Sequence, residues 1–540
     1  MNTDLNHIDY IVIALYFVLI AAIIGYLLLK ERRKSKEASS EYFLGGRSLG
    51  WFVVGASLFA SNIGSEHLIG LAGAGASGDF PVANFEILAS FLLLLLGWLF
   101  VPLYLKSGVF TMPEFLEKRY DKWAKNYLVA ISVAGYVMTK ISVTIAAGGI
   151  IFTAILGIDF WYGAIAIVII TGLYTAVGGL KAVVYTDTFQ LFVLIGGTLA
   201  LSYYGLEQGG GWGTLKQHLP DSYTHLWRPS SDKNFPWTGI VLGAPILGVW
   251  YWCTDQFIVQ RVLSAKNVDT ARKGTLFASY LKLLPLFLFV IPGVLAYALA
   301  QSQPELFAFP VENGKVMYDA ALPLLTKHVL PNGLKGLMVA GLLAALMSSL
   351  SSVFNSCSTL VTMDIYKPRN PKSSEKQLVK VGQISTVILV VLGLAWIPLL
   401  NLLEGGLFQK IQSIQSYISP PIAAIFLIGI LDKRITAKGA KWSLIVGGVI
   451  GMVKLLFELN QSTLSGIPLS IAEFNFLHFA FALFVICAFT LYAVSLSASP
   501  RVLASKNFSI TLQEIPKQKT LAQAFTLILF ILIAIIWYVF

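Results

Sequence analysis

Fourteen apolar runs of roughly bilayer-crossing length occupy most of the chain, at 9–29, 51–74, 83–105, 125–155, 160–178, 184–206, 238–257, 275–299, 331–362, 378–399, 408–431, 440–458, 474–497 and 521–540. A helix that crosses about 30 Å of hydrocarbon needs roughly 20 apolar residues, and only helices or closed barrels satisfy every backbone group there. The runs predict an all-α integral membrane protein with about 14 transmembrane helices. Composition agrees: 56% of the residues are AVILMFWYC and 12% are charged, about half the charge of a soluble domain, so most helices have no polar face to turn to water. The first run is too long for the apolar region of a signal peptide and no small-residue cleavage site follows it, so it reads as a retained span. No Gly/Ser linker or low-complexity tract divides the chain, which reads as one polytopic domain over 1–540.

The net charge of +11 would suggest nucleic acid in a soluble protein, but its placement points elsewhere. Alternate loops carry 29 of the Lys and Arg residues, beginning with KERRKSK after the first run, and the opposite set carries five. Cytoplasmic loops hold the excess of basic residues. Both termini are therefore expected outside the cytoplasm, and the charge is a matter of topology with no nucleic acid involved. The three cysteines, Cys253, Cys357 and Cys487, lie inside apolar runs, which excludes a disulfide framework or a thiolate cluster.

Polar groups within a span are costly and so mark candidate sites. In the second run Ser61-Asn62-Ile63-Gly64-Ser65-Glu66-His67 interrupts the apolar pattern. A break there would free carbonyls of the kind discontinuous transporter helices turn on cations; the alternative is close packing of small residues. In 331–362, Ser348, Ser351 and Ser352 share one helix face, where hydroxyls suit a hard cation or, equally, a packing seam bonded back to its own helix. Lys282 lies about 12 Å into its helix. With Glu86, Gln412 and Trp250-Tyr251-Trp252 it supplies the donors, acceptors and ring faces that a polyhydroxyl ligand needs; a structural ion pair is the plain alternative. No P-loop, HExxH or GxSxG stands in a supporting context, and no TVGYG filter or arginine ladder occurs. An enzyme and a channel are both disfavoured.

The segments SNIGSEHLIGLAG, GLYTAVGGLKAVVYTDTFQ, WYWCTDQFIVQRVLSAKN, SYLKLLPLF, PNGLKGLMVAGLLAALMSSLSSVFNSCSTLVTMDIY and SIQSYISPPIAAIF closely resemble the sodium/glucose cotransporters of the sodium:solute symporter family. The resemblance implies a leucine-transporter-type five-plus-five inverted repeat. The first repeat would run over 51–206 and its partner over 238–431, with an extra helix at 9–29 and extra C-terminal helices over 440–540. It implies a plasma (inner) membrane symporter that takes up a hexose with sodium as co-substrate, without a cofactor or an obligate protein partner. By similarity, sugar would be bound by Asn62, His67, Glu86, Tyr251, Trp252, Lys282 and Gln412 and gated by Leu71, Phe85, Phe408 and Tyr251. Sodium would be held by carbonyls of Ala60, Ile63 and Ala345 and hydroxyls of Ser348 and Ser349. A second sodium would use Asp187 with Ser348, Ser351 and Ser352; the plain alternative for Asp187 is an exposed helix cap. Gly248 departs from the pattern, standing where sugar-transporting relatives place a Thr or Asn, so a myo-inositol or other polyol symporter is the alternative, as is a sugar-gated sensor without coupled accumulation.

Overall fold

The computed structural model describes residues 5–31, 38–312, 314–400, 407–497 and 520–540. Apart from one short hairpin, Val311–Glu312 with Lys315–Val316, the described regular structure is helical. Eleven described helices are long and apolar enough to cross a membrane. One of them, Phe160–Gln208, has 49 residues. Straight, it would reach about 74 Å, more than twice the hydrocarbon thickness. It does not run straight, because Gly179 turns the backbone to φ 56° and ψ −163°. Only glycine enters that region without strain, and a Cβ at 179 would come within 2.6 Å of the Tyr42 carbonyl oxygen. The break falls where the sequence separates 160–178 from 184–206.

Two further apolar runs are built from pieces. Trp51–Asn62 and Ser65–Ser77 are separated by Ile63 and Gly64. The second interrupted span comprises Trp237–Leu242, Ala244–Gly248, a π-helical turn Val249–Thr254, extended Asp255, and Gln256–Leu263. The expected total of about 14 crossings counts the 49-residue element twice and each interrupted span once.

The helix Leu334–Leu360, which bears the serines, lies at the centre and is almost wholly buried. It packs along Phe160–Gln208 and against both halves of the first interrupted span. Its start is capped from outside: the Asp9 carboxylate, on the helix His7–Glu31, accepts from the amides of Gly333 at 2.6 Å and Gly336 at 2.8 Å. That satisfies donors a helix start leaves open. The helices His7–Glu31 and Thr520–Val539 sit at the periphery, with most of their apolar side chains directed outward.

Two expectations are corrected. Arg261, counted from sequence among cytoplasmic loop charges, lies within the second interrupted span and is fully buried. That span ends at Leu263 and not at 257, because the polar residues that suggested a loop are bonded inside the bundle. The stretch 300–330 carries regular structure of its own among its described residues. It holds the helix Ala321–His328 as well as the hairpin.

Candidate functional site

The break in the first interrupted span follows from its residues. The amide of Gly64 turns back to the carbonyl of Asn62 at 3.1 Å instead of Ala60, which takes the Ala60 carbonyl out of the helical ladder. Helix resumes at Ser65, with the carbonyl of Gly64 accepting from the amides of His67 at 3.0 Å and Leu68 at 3.2 Å. In the second interrupted span the Asp255 carboxylate caps the following helix through the amide of Phe257 at 3.1 Å.

Asn62 and Tyr251, one from each interrupted span, meet: the Asn62 amide donates to the Tyr251 hydroxyl at 2.9 Å. Lys282 Nζ donates to Asn62 Oδ1 and pairs with the Glu86 carboxylate. It lies 5.2 Å from the ring centroid of Trp252. Lys140, from the span Lys122–Thr153, donates to the Tyr251 hydroxyl at 3.0 Å and stands 4.4 Å from its ring centroid. Glu86, Lys282, Asn62, Tyr251 and Lys140 thus form one buried hydrogen-bonded chain. Such a network is rigid while every member is satisfied.

The chain borders a pocket lined by Asn62, His67, Phe85, Glu86, Tyr251, Trp252 and Gln412 among others. Lys282 is within contact of these groups but lies behind the lining. Leu71 is fully buried and is not part of the lining. The side chain of Phe408 lies outside the described residues. Of the residues expected to gate it, Phe85 and Tyr251 line the pocket, and the Phe85 ring packs against Phe235 and Phe476 with centroids 6.0 and 6.5 Å away.

The serine helix approaches the first break from the other side. Ser349 donates to the Ser61 carbonyl at 3.3 Å, which puts it beside Ala60 and Ile63. Ser348 turns to Asp187 at 2.6 Å. Asp187 is fully buried, so it is not an exposed cap; its other oxygen accepts from Ser57 at 2.7 Å and lies 3.4 Å from Arg261 Nη2. Ser352 accepts from Arg261, whereas Ser351 bonds back to the Ser348 carbonyl of its own helix at 3.0 Å. The four groups named for a second cation are thus close, but a guanidinium already holds two of them.

The sodium:solute symporter family pattern matches residues 42–447, about three quarters of the chain. The chain belongs to the sodium:solute symporter family. Among relatives of this symporter, sodium/glucose cotransporter 1 of Ovis aries is 40% identical over 531 residues, 92% of this chain and 79% of that protein. Sodium/glucose cotransporter 4 of Homo sapiens is 38% identical over 537 residues, 92% and 77% of the two chains. The fold matches that of a Na+-coupled sialic acid symporter in a substrate-bound outward-open state, with a TM-score of 0.76 at 22% identity over 92% of this chain and 99% of that one. MHP1, a nucleobase-cation-symport-1 family transporter, superposes with a TM-score of 0.51 at 14% identity, covering 86% and 96%. The architecture is the leucine-transporter fold, in a multi-pass membrane protein.

Sequence reasoning counted Arg261 among the loop charges and left Lys140 in a span without a role, and so missed the contacts of both. For Lys140 a signal was present, since a lysine in mid-span requires a buried partner. Arg261 carried none, because it lies among polar residues that read as a loop. Gly248 lines the pocket, and a Cβ there would come within 1.9 Å of Leu92 Cδ1. Where a hydroxyl-binding side chain was expected, this symporter places the leucine of a neighbouring helix.

Proposed function

We propose that this symporter uses sodium entry to take up a hexose by alternating access. The observation that carries the reading is the Glu86–Lys282–Asn62–Tyr251 chain, which joins both interrupted spans at one pocket beside the rings of Tyr251 and Trp252. A sugar hydroxyl both donates and accepts. It can therefore bond to Glu86 and Asn62 at the pocket wall, which an apolar solute cannot do, while the aromatic rings take the CH faces. His67 and Gln412 add polar partners within the same lining.

The proposed sodium groups are the carbonyls of Ala60, Ile63 and Ala345 and the hydroxyls of Ser348 and Ser349, an all-oxygen set suited to a hard cation. Asn62 lies between Ala60 and Ile63 in the chain. An ion that fixes these carbonyls against the serine helix also fixes the side chain that binds Lys282 and Tyr251. Sodium and sugar then strengthen each other's binding reciprocally. The asymmetry of basic loops supports a plasma-membrane orientation with both termini outside the cytoplasm. Ranges of 51–206 and 238–431 are the proposed repeats, each opening with an interrupted span.

One observation favours a second reading, of a myo-inositol-like polyol as substrate. With Leu92 filling the space at Gly248, a hydroxyl on that side meets hydrocarbon, and such unmatched groups decide which isomer a site accepts. Counterflow of radiolabelled glucose, galactose and myo-inositol in proteoliposomes, with sodium or with choline in its place, tests both. Sodium-dependent exchange of one of the three is expected. Equal uptake in choline would refute the coupling, and a sugar-gated sensor would show binding without accumulation. Ser349→Ala, which deletes one of about five coordinating oxygens, should greatly weaken sodium-driven uptake while the protein still inserts in the membrane.

A further inference from the structure

The pocket helix Leu407–Leu431 contains Pro420 and Pro421 in its interior. Proline lacks an amide hydrogen, so the carbonyls of Ser416 and Tyr417 lose their helical partners and the helix can bend there. The half beyond the prolines is fastened. Arg119 donates to the carbonyls of Gly429 at 2.8 Å, Asp432 at 3.3 Å and Ile435 at 3.1 Å, and the Tyr120 hydroxyl donates to that of Ile425 at 2.7 Å. The half before them carries Gln412 and Gln415 into the pocket.

Tyr417 belongs to that pocket half but points the other way, about 200° round the helix from Gln415 at 100° per residue. Its backbone oxygen faces Gly451, where a Cβ would stand 2.4 Å from it, and Gly447 similarly makes room for Pro421. Its ring meets Phe479 edge to face at 5.9 Å, and its hydroxyl donates to the carboxylate of Glu458. Glu458 pairs in turn with Lys454 at 3.4 Å, and Lys454 Nζ, buried, donates to the Ala472 carbonyl at 2.5 Å. Three elements outside the proposed repeats, Ala437–Leu459, Ile467–Ala472 and Phe476–Leu496, thus hold the pocket half from behind.

We propose that Tyr417, Glu458 and Lys454 are positioning residues for substrate binding. They tether the half of the helix bearing Gln412 and Gln415 to the C-terminal helices, and so hold it back from closing on the substrate about the Pro420–Pro421 bend. The inference rests on the reading of the pocket as the substrate site. Its direction follows from the geometry: the tether pulls away from the pocket, so releasing it favours closure.

Tyr417→Phe removes the hydroxyl and keeps the ring on Phe479. The first readout needs no substrate: the rate at which a membrane-impermeant maleimide modifies Gln412→Cys, the native cysteines being buried. That rate should fall by about threefold to tenfold when Tyr417→Phe is added, the size expected for losing one hydrogen bond of ordinary net strength. In protein that retains Gln412, Tyr417→Phe should lower the sugar half-saturation by about the same factor and reduce the maximal rate, with sodium activation unchanged. Glu458→Gln should act in the same direction, and the double variant should go no further than Tyr417→Phe alone. Labelling that is unchanged or faster, or a shift of sodium activation in step with the sugar constant, would overturn the tether. If wild type takes up no sugar but labelling slows as stated, the transport reading fails and the tether stands.

Discussion

Lys282 is the residue on which the pocket turns. A lysine ammonium inside a bundle is tolerable only when paired, and its partners, Glu86 and Asn62, come from two different spans. Its paired state also decides which substitutions are informative. Gln412 lines the pocket and makes no described hydrogen bond to this chain, so Gln412→Ala deletes a proposed substrate partner and leaves the network intact. We expect its half-saturation for sugar to rise by about 5- to 150-fold, equivalent to about 1–3 kcal/mol for one hydrogen-bonding group. Glu86→Ala would in addition strand a buried charge. Glu86→Gln is the cleaner variant, and tracer binding at saturating sodium should weaken in both. Binding unchanged in both would remove the pocket assignment. Gly248 permits a second test at this scale. Gly248→Thr alone must push Leu92 aside and should impair uptake of every substrate, since overpacking typically costs about 1–3 kcal/mol. Combined with Leu92→Ala it should regain transport and alter the ranking of glucose, galactose and myo-inositol in competition assays; an unaltered ranking would free this wall of any part in specificity.

At the scale of elements, three breaks shape the molecule, and each has a different chemical cause. Between Asn62 and Ser65 the chain leaves helical geometry at Ile63 and Gly64. At Asp255 a carboxylate restarts the helix after a π-helical turn. At Gly179 a positive φ separates two halves of a continuous apolar stretch. The last makes a prediction of its own. Gly179→Ala must place a methyl against the Tyr42 carbonyl in a backbone region essentially confined to glycine, which costs an L-residue about 1–3 kcal/mol before any clash is counted. Detergent-purified Gly179→Ala should unfold at a lower temperature than wild type, whereas Gly211→Ala, also at positive φ but with open space around it, should lose less. Equal losses would mean that the contact with Tyr42 contributes nothing. Only the first break was legible as a polar interruption in an apolar run. The third was legible only as a length limit, because nothing in Val177-Gly178-Gly179-Leu180 states which glycine turns.

For the whole molecule the open quantity is the number of ions moved per substrate. Asp187, Ser57, Ser348 and Ser352 meet where the first interrupted span, the 49-residue element and the serine helix converge, and Arg261 enters from the second interrupted span. A second sodium at Asp187 would have to take the place of the guanidinium there, as one positive charge for another. Each charge carried through 100 mV contributes about 2.3 kcal/mol, near 50-fold in accumulation, so two ions would allow about 2,500-fold for a neutral sugar. We expect the reversal potential of transport current in reconstituted vesicles to fit two sodium ions per sugar, and to fall to one in Asp187→Asn. A wild-type potential that fits one ion would leave Asp187 as a partner of Arg261 only. That outcome separates this test from those of the sugar pocket, which do not depend on the second ion.

The lipid solvent, the spans, the charge asymmetry and the first break can all be read from residue order, because each depends on the chain's immediate neighbours: apolar length against bilayer thickness, and polar groups against the apolar background. The resemblance of whole segments added the repeat architecture and most of the pocket residues. What the tertiary structure alone decided is which charges neutralise which. Lys140 reaches Tyr251 from 111 positions away and Arg261 reaches Asp187 from 74, while the tether from Tyr417 to Glu458 crosses between helices whose sequences advertise no contact. In a low-dielectric interior each buried charge must find a partner, but the requirement does not name it. Spacing on one helix fixes which side chains share a face; the packing of one helix on another fixes what that face meets, and it is there that Arg261 ceased to be a loop charge and Leu92 came to fill the space at Gly248.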